Sequence, residues 1–86
     1  MSTGHESHPS HENHDALLDQ MITQQRAKVL AIARAIDARL TEDDILSPQD
    51  IPELRDDPRF NYEDGLLAGL LSAQMAMRAE DRRRQG

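Results

Sequence analysis

Hydrophobic residues recur at helical spacing between residues 15 and 40. At about 100° of rotation per residue, the main apolar side chains fall within one arc: Leu18, Met21, Ile22, Val29, Ile32, Ile36 and Leu40. Gln25 interrupts this arc, whereas Arg26, Arg34 and Asp37 lie on the opposite side. Such a pattern is typical of an amphipathic helix that buries one face. The sequence therefore predicts a first helix over residues 15–40, with a second, shallower face of alanines: Ala27, Ala31, Ala35 and Ala38.

A second helical pattern covers residues 61–83, with Asp57–Pro58 as an alternative, earlier start. In helical projection its small residues form one stripe: Gly65, Ala68, Gly69, Ser72, Ala73, Ala76 and Ala79. Only Gln74 and Arg78 lie opposite this stripe. A glycine inside a helix costs about 1 kcal/mol relative to alanine, so the two glycines favour the close approach of another helix. The alternative interpretation is that Gly65 only marks a late helix start.

The segment between the two helices, residues 41–60, carries signals for short helical turns. Thr41 with Asp44 resembles a weak capping box, and Ser47 is a good N-cap followed by a proline at the first helical position. Three prolines prevent a longer helix: Pro48, Pro52 and Pro58. We expect the connector to pack against the helices because it also carries large apolar side chains: Ile45, Leu46, Ile51, Leu54 and Phe60.

These patterns predict an all-α fold, an antiparallel helical hairpin over residues 15–83 with a connector of short helical turns. Residues 1–14 contain no apolar side chain after Met1, and such a segment is predicted to be a disordered, His-rich tail. Residues 84–86 form a basic C-terminal end. Charge favours the antiparallel direction, because it places the following groups together: Glu63 and Asp64 near Arg34 and Arg39, and Arg82, Arg83 and Arg84 near Asp15 and Asp19.

Two helices alone cannot cover both apolar sides of the second helix. We expect one side to meet the first helix: Leu66, Leu70 and Met77. The small stripe and the other side are then the candidate interface: Gly65, Gly69, Ser72, Ala76, Leu67, Leu71 and Met75. The sequence thus predicts that the hairpin is completed to a bundle, either as a homo-oligomer or by a different protein partner.

Composition narrows the class of partner. The chain of 86 residues has no cysteine and a net charge of −6, so disulfides and thiolate sites are excluded and nucleic acid is a poor partner. A core this small is hard to stabilise alone, which favours association. The first residues lack the apolar stretch of a signal peptide, and the run GLLAGLLSAQMAM is about half as long as a membrane span needs. We therefore expect a cytoplasmic protein with a protein partner and no membrane contact.

Catalytic patterns are not found in the sequence. It has no nucleophile elbow, phosphate-binding loop, zinc-protease motif or dinucleotide motif. No Glu precedes a His by three positions, as a di-iron site in a helical bundle requires. The leading prediction is therefore a non-catalytic interaction module or small accessory subunit. An enzyme subunit whose active site is completed by a partner is the remaining alternative.

The stretch HESHPSHENH places a histidine at every third position: His5, His8, His11 and His14. Imidazole suits Ni, Co, Zn or Cu. In an extended chain, however, three residues rise about 9 Å, which separates the ligands in a row. The segment resembles, in composition, the His-rich extensions of nickel- and cobalt-handling accessory proteins, and this resemblance implies metal buffering or delivery. A solvated tail and a pH-dependent docking segment are the other two interpretations.

Overall fold

A computed structural model describes the backbone of residues 10–85 and the side chains of residues 14–85. Within that range the chain is helical and contains no strand. The helices are α1, Ser10–Ile36, α2, Pro52–Arg55, and α3, Pro58–Gln85. Two 3-10 turns, Asp44–Leu46 and Pro48–Asp50, lie between α1 and α2. The predicted all-α class is therefore confirmed, and so are the short helical turns in the connector.

The first long helix is displaced toward the N-terminus relative to the prediction. It begins at Ser10, so residues 10–14, which the sequence assigns to a disordered tail, belong to α1. No proline or glycine lies between Ser10 and Asp15, and each residue added to an existing helix gains one backbone hydrogen bond. Residues 1–9, the rest of the predicted tail, lie outside the described residues.

The same helix ends at Ile36, earlier than the predicted end at residue 40. Asp37 stops it, because its carboxylate accepts hydrogen bonds from the backbone amide and the guanidinium of Arg39. Leu40 then turns back into the core, where it is buried. The Arg34 side chain holds this turn by donating to the Leu40 carbonyl at 2.9 Å. Hydrogen bonds from side chains to the nearby backbone compete with the backbone bonds of a helix. Because Leu40 continues the helical spacing of apolar residues, the sequence pattern does not show where the helix ends.

The second long helix begins at Pro58, the earlier of the two predicted starts. The Asp57 carboxylate accepts a hydrogen bond from the Phe60 amide at 2.8 Å, which is the geometry of an N-cap. Upstream, the Asp44 carboxylate accepts bonds from both the amide and the hydroxyl of Thr41. Ser47 precedes Pro48 as predicted but makes no side-chain cap bond. The sequence thus predicts the positions of the connector turns correctly. Of the two predicted side-chain caps, the one between Asp44 and Thr41 is formed and the one from Ser47 is not.

The hydrophobic core joins both long helices to the connector. Val29 of α1, Leu54 of α2 and Phe60 of α3 are fully buried. The remaining buried apolar residues surround them: Ile22, Ile32, Ala33, Leu40, Ile45 and Leu67. Most of the predicted apolar arc of α1 therefore does face the core, with Leu18 and Ile36 half-buried against it, whereas Met21 is exposed.

The long helices lie side by side along most of their length. Gln25 of α1 contacts Glu63 near the start of α3, and Asp19, nearer the start of α1, contacts Gln74 farther along α3. The molecule measures 56 × 26 × 19 Å. No helix in the described part of the chain is long and apolar enough to cross a membrane.

Candidate interaction surface

The face of α3 that packs on α1 differs from the predicted one. Its buried residues are Phe60, Glu63 and Leu67, and Leu70 and Leu71 pack half-buried against the core. Leu67, which the sequence assigns to the outer interface, is thus a core residue, and Leu71 belongs to the edge of the core. Leu66, expected to meet the first helix, is 44% exposed. The narrow polar strip opposite the small stripe, which carries Gln74 and Arg78, is turned toward Asp19 of α1.

Polar partners on α1 explain why that strip can face inward. Gln25 Nε2 donates to the carbonyl oxygen of Glu63 at 2.9 Å and to its carboxylate at 2.8 Å. Lys28 Nζ lies 3.2 Å from the other carboxylate oxygen. The hydrogen bond from Gln25, with smaller contributions from Lys28, lowers the pKa of the Glu63 carboxyl. Gln25, the one polar interruption in the apolar arc of α1, therefore satisfies the one buried carboxylate of the described residues.

The charge pairs that orient the two helices are only partly the predicted ones. The sequence predicts that Arg34 and Arg39 lie near Glu63. In the structure Arg39 forms an ion pair with Asp37, and the cation next to Glu63 is Lys28. At the other end of the pair, Asp19 meets Gln74 and, at 4.0 Å, Arg78.

The small stripe of α3 points away from α1. Every one of its residues is exposed: Gly65, Ala68, Gly69, Ser72, Ala73, Ala76 and Ala79. A methyl group built on Gly65 or Gly69 would have no atom within 4 Å. The close helix approach predicted from the two glycines is therefore not made to α1 or to the connector. Met75, the remaining member of the predicted interface, is 70% exposed.

An open groove runs beside this stripe, between α3 and the connector. Its volume is about 180 Å³, and its lining is apolar apart from Arg26 and Asp64: Ile45, Leu46, Pro48, Leu67, Ala68 and Leu71. Leu46 is 68% exposed there. Burial raises the pKa of the Asp64 carboxyl. The groove and the small stripe together form a continuous, mainly apolar surface, which we call the outer α3 surface, that the described residues leave uncovered. The expectation that Leu46 packs against the helices is wrong, because a connector residue has no periodicity to reveal the direction of its side chain.

His14 is the one predicted metal ligand whose side chain the structure describes, and it lies at the end of the molecule opposite the connector. His5 and His8 lie outside the described residues, and His11 is part of helix α1. His14 is exposed and lines an open groove of about 150 Å³ together with Asp15, Met77, Glu80, Asp81 and Arg84. Among the described residues, no group of three or more His, Asp or Glu side chains is arranged to hold a metal ion.

A third groove, of about 440 Å³, follows the outer face of α1. Arg26, Arg34 and Glu42 are its charged residues, and the small side chains of Ala27 and Ala31 form its floor. The Arg34 guanidinium is already used to hold the Leu40 carbonyl. This groove therefore owes its shape to the alanine face of α1 and gathers no constellation of catalytic groups.

Comparison with known proteins adds no further constraint on this surface. No family model matches the sequence, and no curated protein or solved structure is significantly similar to it.

Proposed function

We propose that this protein is a non-catalytic interaction module, an antiparallel helical hairpin whose outer α3 surface docks on another protein chain. The observation that carries the proposal is the exposure of Gly65, Gly69, Ser72, Ala76 and Met75 on a helix that α1 covers on one side only. An apolar face of this kind, left open by a two-helix layer, is typical of a protein–protein contact.

The composition of the surface supports this proposal. Glycine in a helix is unfavourable by about 1 kcal/mol relative to alanine, and neither Gly65 nor Gly69 is needed for packing among the described residues, which leave the space beside both open. A contact with a second protein supplies the missing reason, because small residues let two helix backbones approach closely. The order of the cross-helix pairs, Gln25 with Glu63 and Asp19 with Gln74, supports the hairpin.

The experiment compares the assembly mass of the wild-type chain with that of Gly69→Leu and Ala76→Leu. Mass is measured by light scattering on the purified protein and on the complex recovered from its native host. Ala31→Leu, which places the same bulk at an exposed position on α1, is the matched control. We expect an assembly heavier than the 9.7 kDa chain, lost in both α3 variants and kept in the control. If all four proteins have the mass of the single chain in both preparations, the proposal is wrong.

A second function, metal buffering or delivery, is supported by the position of the histidines. His11 and His14 both belong to α1, and His14 shares a groove with Asp15 and Glu80. Imidazole and carboxylate groups together suit Ni, Co, Zn or Cu. Calorimetric titration with each metal compares the wild type with a variant in which all four histidines are replaced by alanine. Equal heats from the two proteins would exclude this function.

A further inference from the structure

One line of exposed residues on α3 has the spacing of a coiled-coil seam. Its members follow one another at alternating steps of four and three: Asn61, Gly65, Ala68, Ser72, Met75, Ala79 and Arg82. All of them are exposed. Steps of four and three average 3.5 residues, the repeat at which a straight seam can face a second helix along its whole length. We call this line the α3 seam.

The α3 seam is complementary to itself when a second copy is turned end for end. A two-fold axis at Ser72 then places Gly65 opposite the second copy's Ala79, and Ala68 opposite the second copy's Met75. The large side chain of Met75, 70% exposed, thus meets one of the smallest positions. Ala68 also lines the groove with Leu46 and Leu71, so the groove offers an apolar space at the point where that methionine arrives.

The charged residues on one side of the seam complete this match. Asp64, Leu71 and Arg78 follow one another at intervals of seven, and a two-fold axis brings this side against the same side of the other copy. Asp64 then faces the second copy's Arg78, and Leu71 faces Leu71. Arg78 lies at the edge of α3 between α1 and the seam: its guanidinium is 4.0 Å from Asp19 of its own α1, and 59% of its side chain is exposed. Within the described residues the Asp64 carboxylate has no hydrogen bond or ion pair, and it is partly buried without one.

The parallel arrangement has the opposite electrostatics. The seam residues would meet their own counterparts, which places Arg82 against Arg82, and the side that carries Asp64 and Arg78 would meet the opposite side of the second helix, which removes the match between Asp64 and Arg78. Like charges on the flanks of a helical seam disfavour a pairing, and opposite charges select it. Charge therefore distinguishes the two directions, although the apolar spacing does not.

We propose that a second copy of this chain covers the α3 seam, in an antiparallel contact in which Met75 of each copy enters the groove beside Ala68 of the other and Asp64 pairs with the second copy's Arg78. The inference rests on the proposed function and names its partner. The two α3 helices form the centre of a four-helix assembly, and the α1 helices lie on its outside.

Cysteine cross-linking tests the contact and its direction, because the chain has no cysteine of its own. Ser72→Cys lies at the two-fold axis, and a disulfide forms only where two Cα atoms approach within about 7 Å. We expect rapid covalent dimer with Ser72→Cys and none with the control Ala31→Cys. A mixture of Gly65→Cys and Ala79→Cys chains should cross-link between the two variants. Either variant alone should not, because the antiparallel register separates equivalent thiols by about 21 Å along the helix.

Charge exchange tests the pairing of Asp64 with Arg78. The two-fold axis creates two such pairs, and each exposed pair is worth up to about fivefold in an equilibrium constant. Asp64→Arg and Arg78→Asp should each raise the dimer dissociation constant about tenfold or more, and the double variant should return it to near the wild-type value. Asp43→Arg, the same charge change at an exposed connector position, should leave it unchanged. Circular dichroism verifies that every variant keeps its helix content.

Two outcomes separate this inference from the proposed function. A purified chain that stays monomeric at every concentration, with no cross-link through Ser72→Cys, overturns the self-association. If a different chain is then recovered with the wild type but not with Gly69→Leu, the proposed function stands with another partner. If Ser72→Cys forms a dimer but the single-variant Gly65→Cys chain cross-links to itself, the antiparallel register is wrong.

Discussion

Replacing Leu54 by alanine should strongly destabilise the fold, although Leu54 lies in the shortest helix. Its side chain is fully buried, and it is the only buried residue of α2. Leu→Ala removes the equivalent of about three methylene groups, or about 2.4 kcal/mol of transfer free energy. A cavity left behind adds to this, and measured costs span about 2–5 kcal/mol. Because a short connector helix can shift into part of the space, we expect about 3 kcal/mol.

Leu46→Ala is the matched control in the same connector. Leu46 is 68% exposed, and substitutions at such surface positions usually change stability by less than about 0.5 kcal/mol. Both variants are compared with the wild type by urea unfolding, followed by far-ultraviolet circular dichroism. With a slope near 1 kcal/mol per molar, typical of a small protein, Leu54→Ala should lower the midpoint by about 3 M. Protein concentration is held equal, because the apparent stability of any chain that self-associates depends on its concentration.

The result that refutes the reasoning is a similar, small shift for the two leucines. It would mean that the connector does not pack on the long helices, so that Leu54 loses little apolar burial on truncation. A large shift for Leu46→Ala alone would mean that the groove on the outer α3 surface is filled in solution.

Three further predictions concern the long helices. The pKa of Glu63 is lower in the folded state than in the unfolded state. Its ionised form therefore contributes stability above the unfolded pKa, and this stability is lost as the pH falls through the folded pKa. Glu63→Gln should reduce the fall of the melting temperature at acidic pH. Asp57→Ala removes the N-cap of α3 and should cost about 1 kcal/mol in urea unfolding; the neighbouring Asp56→Ala should cost less than half as much. Gly69→Ala meets open space and should stabilise the monomer by about 0.5–1 kcal/mol, seen as a higher melting temperature in dilute protein; a lower one would contradict the packing described for α3.

Local signals determined where the helices form. The apolar arc of α1, the Asp57–Pro58 start of α3 and the prolines of the connector are all properties of neighbouring residues, and the structure confirms them. The errors at the ends of α1 have a similar local origin. Leu40 continues the helical periodicity, but the Asp37 carboxylate accepts a hydrogen bond from the Arg39 amide where the helix ends, and apolar periodicity does not reveal such a local bond.

The face of α3 could not be read from the sequence in the same way. This helix is apolar or small on nearly every side, so its pattern does not select one face. The sequence places Glu63 near Arg34 and Arg39 and gives Gln74 no partner, yet the two residues meet Gln25 and Asp19 on α1. Those partners lie far away along the chain, and no local pattern connects them.

The sequence by itself determined an all-α chain with two long helices, a turn-rich connector and more apolar surface than two helices can bury. Only the tertiary structure decided which apolar surface remains open. The buried face of α3 carries Phe60, Glu63 and Leu67, and the glycines lie outward. Burying Glu63 there is tolerable because Gln25 and Lys28 satisfy its carboxylate. The open surface therefore depends on a polar contact between the two helices as well as on apolar burial, since a buried carboxylate is costly unless it is paired.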